Sequence, residues 1–319
     1  MTGLTSNPTI FDQAIKEGGD YDSSIRQKVA AGHSGEALFF ELAIEDLTRA
    51  AAIFRPIHDR TNGKDGWVSL EVSPLLVNNA IGTVDSAKRL HQQAQCPNLL
   101  IKIPGTPEGV LAIEESIFNG VPVNVTLLFS PEQYVRAAEA YLRGIERRVI
   151  AGLDPNVGSV ASIFVSRWDA AVKDAVPPAL RNRLGIAVAK QAYRAYRDLL
   201  NSPRWRRLAA AGARPQRLLW ASTGTKDPEA PDTLYIEALA APDTINTIPE
   251  KTLLAFAEHG QVGKVLTVDQ DATDATIDEF SRAGIDVTVI AEQLQREGAE
   301  SFTKSWQQLL GRIVTKSIG

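Results

Sequence analysis

Short apolar runs alternate with longer amphipathic stretches along the whole chain, and this alternation restricts the fold more than any other feature. The runs are Gly3–Thr5, Trp67–Ser73, Leu99–Ile103, Val121–Leu128, Val160–Val165, Arg217–Ser222 and Thr244–Ile248. Their β-branched and aliphatic content reads as buried strands. Between them, Glu36–Arg55, Pro74–Gln93, Pro131–Ile150 and Leu180–Leu200 carry apolar residues at helical spacing. Strands alternating with helices of this length predict repeated βα units around a parallel sheet. Several helices have a clear start signal: Asn7-Pro8, Ser73-Pro74, Thr106-Pro107 and Ser130-Pro131 each place a capping side chain before a proline suited to the first turn. A chain of 319 residues suits one (β/α) barrel or two smaller domains. No low-complexity linker divides it, so a single domain over 1–319 is expected, with 262–319 as a C-terminal extension packed on the barrel. In that extension, Lys264–Val268 reads as a weak strand, and Ala272–Arg282 and Glu300–Ile313 read as helices.

Composition narrows the class of function. With 44% hydrophobic and 23% charged residues the chain can bury a large core. A net charge of -4 gives no overall attraction for nucleic acid or an anionic membrane, so anion binding has to be local. Four scattered histidines (His33, His58, His91, His259) have no metal-ligand spacing, and no metal is expected. A lone Cys96 and the absence of a signal-peptide pattern make the cytoplasm the expected compartment.

The chemistry is written in the strands. Lys102 interrupts the apolar run Asn98–Pro104. A lysine held in a strand core loses hydration, which favours a nucleophilic amine of the kind that forms Schiff bases. The alternative is a strand-end lysine whose head reaches water. Residues of one parity share a strand face, and the polar residues keep parity: Ser69 with Glu71, Asn124 with Thr126, and Ser162 with Phe164. In a closed barrel Glu71, Lys102, Asn124, Thr126, Ser162 and Ser222 would converge on one axis. Their bland reading is a set of satisfied buried polar groups and a structural Glu71–Lys102 ion pair. Arg167 in Ser-x-Phe-x-x-Arg and Lys226 in Ser-Thr-Gly-Thr-Lys could clamp a phosphate, or could be solvated cations. The clusters Arg143/Arg147/Arg148 and Arg204/Arg206/Arg207 read as solvated helix faces.

Five segments, Thr5–Phe11, Ser69–Ser73, Leu100–Thr106, Asn124–Ser130 and Ala221–Pro228, occur in an order that resembles the transaldolases. The resemblance implies an α/β fold of the TIM-type (β/α)8 barrel kind and a cofactor-free enzyme of the pentose phosphate pathway. Such an enzyme moves a dihydroxyacetone unit from sedoheptulose 7-phosphate to glyceraldehyde 3-phosphate, giving erythrose 4-phosphate and fructose 6-phosphate. It implies that Lys102 forms the Schiff base, that Glu71 is the acid/base and that Thr126 orients a water. Asn7 and Asn124 would bond sugar hydroxyls, Ser162 and Phe164 would line the site, and Arg167 would hold the phosphate with Ser222 and Lys226 nearby. The expected partners are sugar phosphates, with no nucleic acid and no membrane.

The front of the chain departs from the family pattern. Transaldolases have a strand ahead of the Thr-Ser-Asn-Pro segment, and it carries an aspartate that exchanges the C4 hydroxyl proton. Here Thr5 lies too close to Met1 for that strand, so the barrel is expected to lack its first strand and Met1 is expected not to be the natural start. Two alternatives stay open beside the transaldolase reading. One is a class I aldolase releasing dihydroxyacetone, and the other is a catalytically impaired sugar-phosphate-binding fragment.

Overall fold

The computed structural model describes residues 1–263, 265–267 and 270–318. It is an α/β protein whose chain falls into two compact units, Met1–Asn124 with Gly298–Gly319, and Val125–Glu297. Within each unit the paired strands lie parallel, and neighbouring strands follow sequence order.

In the first unit β1 (Leu4–Thr5), β2 (Val68–Glu71) and β3 (Leu99–Pro104) pair side by side. Every residue of β2 and β3 is buried, as expected for parallel strands covered on both faces. The helices are α1 (Pro8–Glu17), α2 (Asp22–Ala30), α3 (Gly35–Arg60), α4 (Ala80–Ala94) and α5 (Pro107–Phe118). All three caps anticipated in this unit act: Asn7 accepts from the Ile10 amide at 2.9 Å, Thr106 from the Gly109 amide at 3.2 Å, and Ser73 from the Leu75 amide at 3.4 Å. A turn after cap Thr106, Gly109 lets α5 lie against the end of β3. A β-carbon there would come 1.8 Å from the Pro104 carbonyl oxygen, so only glycine fits.

Two helix boundaries differ from expectation. The stretch Pro74–Gln93 is not one helix: Pro74–Leu76 is a single 3₁₀ turn, and α4 starts again at Ala80. The cause is Asn79, which accepts from the Gly82 amide at 2.9 Å and acts as a second cap. Conversely α3 runs past Pro56 to Arg60. A proline forfeits one helical hydrogen bond, and here the apolar face of Leu38, Phe39, Phe40, Leu42, Leu47 and Ala51 keeps the helix packed regardless.

In the second unit β4 (Val123–Leu128), which begins in the first, is followed by α6 (Pro131–Ile150), β5 (Ser159–Phe164), α7 (Ser166–Val172), α8 (Leu184–Asn201) and α9 (Pro203–Ala210). Next come β6 (Arg217–Ala221), α10 (Leu234–Ala238), β7 (Ile245–Asn246), α11 (Glu250–His259) and α12 (Gln270–Arg282). Ser130 caps α6 through the Gln133 amide. The helix expected from Leu180 starts instead at Leu184, after a 3₁₀ turn at Pro178–Leu180. Buried Asp169 accepts from the Leu184 amide at 2.9 Å and the Gly185 amide at 3.3 Å, which supplies the missing cap from another helix. Trp168 and Trp220 are fully buried, and their indole N–H groups donate to the Phe129 and Leu239 carbonyls.

The last helix, α13 (Val287–Ile318), spans the boundary between the units and is much longer than the expected Glu300–Ile313. The weak strand at 264–268 does not form over Val265–Thr267, while Lys264 and Val268 lie outside the described residues.

Candidate active site

The first unit assembles its polar residues at the C-terminal ends of β1, β2 and β3. Parallel register sets Glu71 directly beside Lys102, and the Lys102 Nζ donates to Glu71 Oε2 at 3.2 Å. Both side chains are nearly sealed from solvent, 7% and 5% exposed. The same ammonium donates to the Ser6 carbonyl at 3.1 Å and lies 5.9 Å from the centre of the Phe302 ring. Ser6 is itself pinned, its hydroxyl donating to the Ser69 carbonyl at 2.8 Å. Asn124 donates to the Ser69 hydroxyl at 3.1 Å, which joins it to the same group. Asn7 stands next in the chain with its side-chain oxygen committed to capping α1.

Electrostatics at this pair are set by competition. Burial pushes the Glu71 carboxyl up, and the neighbouring Lys102 charge and hydrogen bond pull it down without cancelling the rise. A buried ion pair adds little stability compared with apolar packing of the same volume. The arrangement puts an amine and a carboxyl in direct contact between apolar strands, close enough to pass a proton.

The second unit carries the other expected residues. Thr126 on β4 is buried, and its hydroxyl has no hydrogen-bond partner. The next residue, Leu127, holds a left-handed backbone at φ 58° inside the strand, and its carbonyl accepts from Gln295 of α13 at 2.9 Å. Such strain in a bulky residue is rare and gathers at functional positions. On β5, Ser162 is buried in register with Leu219, and Phe164 meets Phe129 with ring centres 5.2 Å apart. Half-buried Arg167 lies over the Phe164 ring at 5.4 Å. Burial lowers the Arg167 guanidinium from its usual range, and the nearby Glu297 charge opposes the shift.

Ser222, just past β6, also has a left-handed backbone, at φ 55°; its hydroxyl is 2.9 Å from that of Ser166 and its carbonyl accepts from the Ser166 amide. Arg167 follows Ser166 in the chain and so lies next to this contact in sequence, whereas Lys226 is exposed further along the loop. Among the described residues no group of three His, Cys, Asp or Glu is placed to hold a metal ion, and no helix is long and apolar enough to cross a membrane.

Four contributors were not singled out from the sequence: the Ser6 carbonyl, Phe302, Gln295 and Glu297. A backbone carbonyl leaves no trace in a residue pattern. Phe302 does leave one, in the spacing Phe302, Trp306, Leu309, Ile313 that marks the apolar face of α13.

In this α/β protein, parallel strands present a buried lysine against a buried carboxyl. Residues 1–313 match the model of the Transaldolase/Fructose-6-phosphate aldolase family, and the chain belongs to that family. It is 44% identical to the transaldolase of Thermobifida fusca, an alignment covering 98% of this chain and 88% of that protein. Transaldolases of Parafrankia sp. and Arthrobacter sp. are 45% and 43% identical, each alignment covering 98% of this chain and 87% of the relative.

Proposed function

We propose that this protein is a transaldolase acting on sugar phosphates in the cytoplasm, with its strands arranged as those of a TIM-type (β/α)8 barrel and the whole chain working as one domain. The observation that carries the reading is the 3.2 Å contact of Lys102 with Glu71 inside the family motif. The Lys102 nitrogen attacks C2 of a ketose phosphate, forming the N–C bond while the carbonyl oxygen takes a proton. Glu71 then donates a proton to the resulting hydroxyl, which leaves as water and yields the iminium. A base removes the C4 hydroxyl proton, the C3–C4 bond breaks, and its electrons enter the iminium to give a neutral enamine and an aldose phosphate. Addition of the enamine to a second aldose, followed by hydrolysis, completes the transfer.

The remaining roles rest on the family motifs. Thr126 holds the water that is expelled and later returned, a role suited to a buried hydroxyl with no protein partner. Asn124 and Asn7 bond sugar hydroxyls, and Ser162 and Phe164 line the site. Arg167 grips the phosphate, helped by Ser222 and Lys226. An aldolase that releases dihydroxyacetone is the second reading, favoured by the family description, which covers fructose 6-phosphate aldolases as well. Product analysis separates the two. With fructose 6-phosphate and erythrose 4-phosphate, sedoheptulose 7-phosphate should accumulate, and little free dihydroxyacetone should appear. Dihydroxyacetone release at an equal rate with and without the acceptor would assign the aldolase instead.

A further inference from the structure

Resting on the Schiff-base reading of Lys102, we propose that Phe302 of α13 is a positioning residue for the reaction, its ring face favouring the charged iminium over the neutral enamine. A lysine ammonium has three N–H donors. The Ser6 carbonyl at 3.1 Å and Glu71 at 3.2 Å accept two of them, and Nζ lies over the Phe302 ring, 5.9 Å from its centre. Phe302 is itself 5% exposed, so no water layer intervenes to weaken the attraction between the cation and the negative face of the ring.

The side chain cannot drift from that place. It projects from a helix that is anchored within the same unit just C-terminal to it, to α1 and to α3. Thr9 donates to Ser305 at 3.0 Å, the Trp306 indole donates to Glu36 at 2.7 Å, and Arg312 donates to Asp12 at 2.6 Å. Trp306 also meets Phe39 at 4.7 Å between ring centres. During the reaction the lysine nitrogen changes charge: C3–C4 cleavage turns the iminium into a neutral enamine, and protonation of the enamine carbon restores the cation. A ring fixed beside that nitrogen stabilises the charged partner alone. It thereby shifts the balance between the two towards the iminium.

The test replaces Phe302 with phenylalanine analogues bearing one, two, three and five ring fluorines, which weaken the negative face at nearly constant shape. Each protein is mixed with fructose 6-phosphate and no acceptor. In one sample borohydride reduces the iminium to a stable adduct, and in a parallel sample without borohydride ferricyanide consumption reports the enamine. The trapped iminium-to-enamine ratio should fall with each added fluorine, by about threefold to thirtyfold over the series, the range a desolvated cation–π contact supports. Thermal midpoints should stay within a degree or two of the parent, by the same constancy of shape. Phe302→Leu should resemble the most fluorinated analogue, and Phe302→Trp should restore the ratio. A ratio constant across the series, or one that follows the melting midpoint and not the fluorine count, overturns the proposal. If the unsubstituted protein forms no adduct at all, the Lys102 reading fails and the role of Phe302 fails with it.

Discussion

At Glu71 desolvation and the Lys102 charge act in opposite directions, and desolvation prevails, so the carboxyl keeps its proton to higher pH than an exposed glutamate. Two outcomes follow from the sign. For activity, hydrolysis of the final iminium reverses the dehydration and needs Glu71 as a carboxylate, so it slows as pH falls through this raised value, and the acid limb of the kcat profile should lie above the ordinary glutamate range. Glu71→Gln should remove that limb and lower kcat by about 10²–10⁴-fold. For stability, a group that binds its proton more tightly when folded favours the fold at low pH, and that contribution fades as pH rises through its folded value. Denaturant midpoints should therefore show the parent losing ground to Glu71→Gln as pH is raised across that window. Arg167 gives the second residue-scale prediction. Its truncation to alanine should raise KM for phosphorylated ketoses, costing about 1.5–3 kcal/mol in kcat/KM if it bonds a phosphate. Phosphate-free ketoses should be nearly indifferent, and an equal loss for both would remove Arg167 from the phosphate site. Lys102 and Glu71 were legible as single residues because charge inside an apolar strand is conspicuous. Their pairing was anticipated as an ion pair, but the register that sets Glu71 directly opposite Lys102 was not legible, since it depends on pairing between strands far apart in sequence.

Among the elements, strands and proline-led helix starts could be read directly, because each rests on local chemistry: Asn7, Thr106 and Ser130 cap the helices they precede. The interrupted segment at Pro74–Ala94 was harder, since two caps compete within it and only packing decides that Asn79 starts the longer helix. The late start of α8 was not readable at all, because its cap is Asp169, a residue of α7. Glycines at helix–strand contacts are the sharpest test at this scale. A β-carbon at Gly109 would lie 1.8 Å from the Pro104 carbonyl, and one at Gly185 would lie 2.5 Å from the Val165 carbonyl. Either change to alanine should cost at least about 1–3 kcal/mol, because backbone must move to make room. Gly109→Ala should also lower activity, since the displaced carbonyl ends the strand that bears Lys102. Unchanged chemical-denaturation midpoints for both variants would show that these close contacts do not limit the fold.

At the scale of the molecule, the first unit is closed by the two ends of the chain. Residues 298–318 pack with the opening segments through Trp306, which meets Phe39 and Phe40, and through Arg312–Asp12 and Lys316–Asp22. The aromatic contacts supply most of that closure, since partly exposed ion pairs contribute little. Trp306→Ala should destabilise the protein by about 3–5 kcal/mol, as expected for an aromatic side chain removed from a core, and should lower turnover by loosening the helix that carries Phe302. Arg312→Ala should cost under about 1 kcal/mol. Calorimetry on the two variants checks the ordering. Membership of the α/β class was visible in the alternation of elements, but the pairing of the first and last segments was not, because nothing local in either names its partner.

The central claim is that Lys102 carries the covalent intermediate. The most direct measurement is peptide mass mapping after borohydride reduction of the protein with fructose 6-phosphate. The account predicts a reduced three-carbon adduct on the peptide containing Lys102, absent from Lys102→Met and from samples lacking the sugar. An adduct on Lys226 or another lysine, or full turnover with no adduct on any peptide, would contradict it.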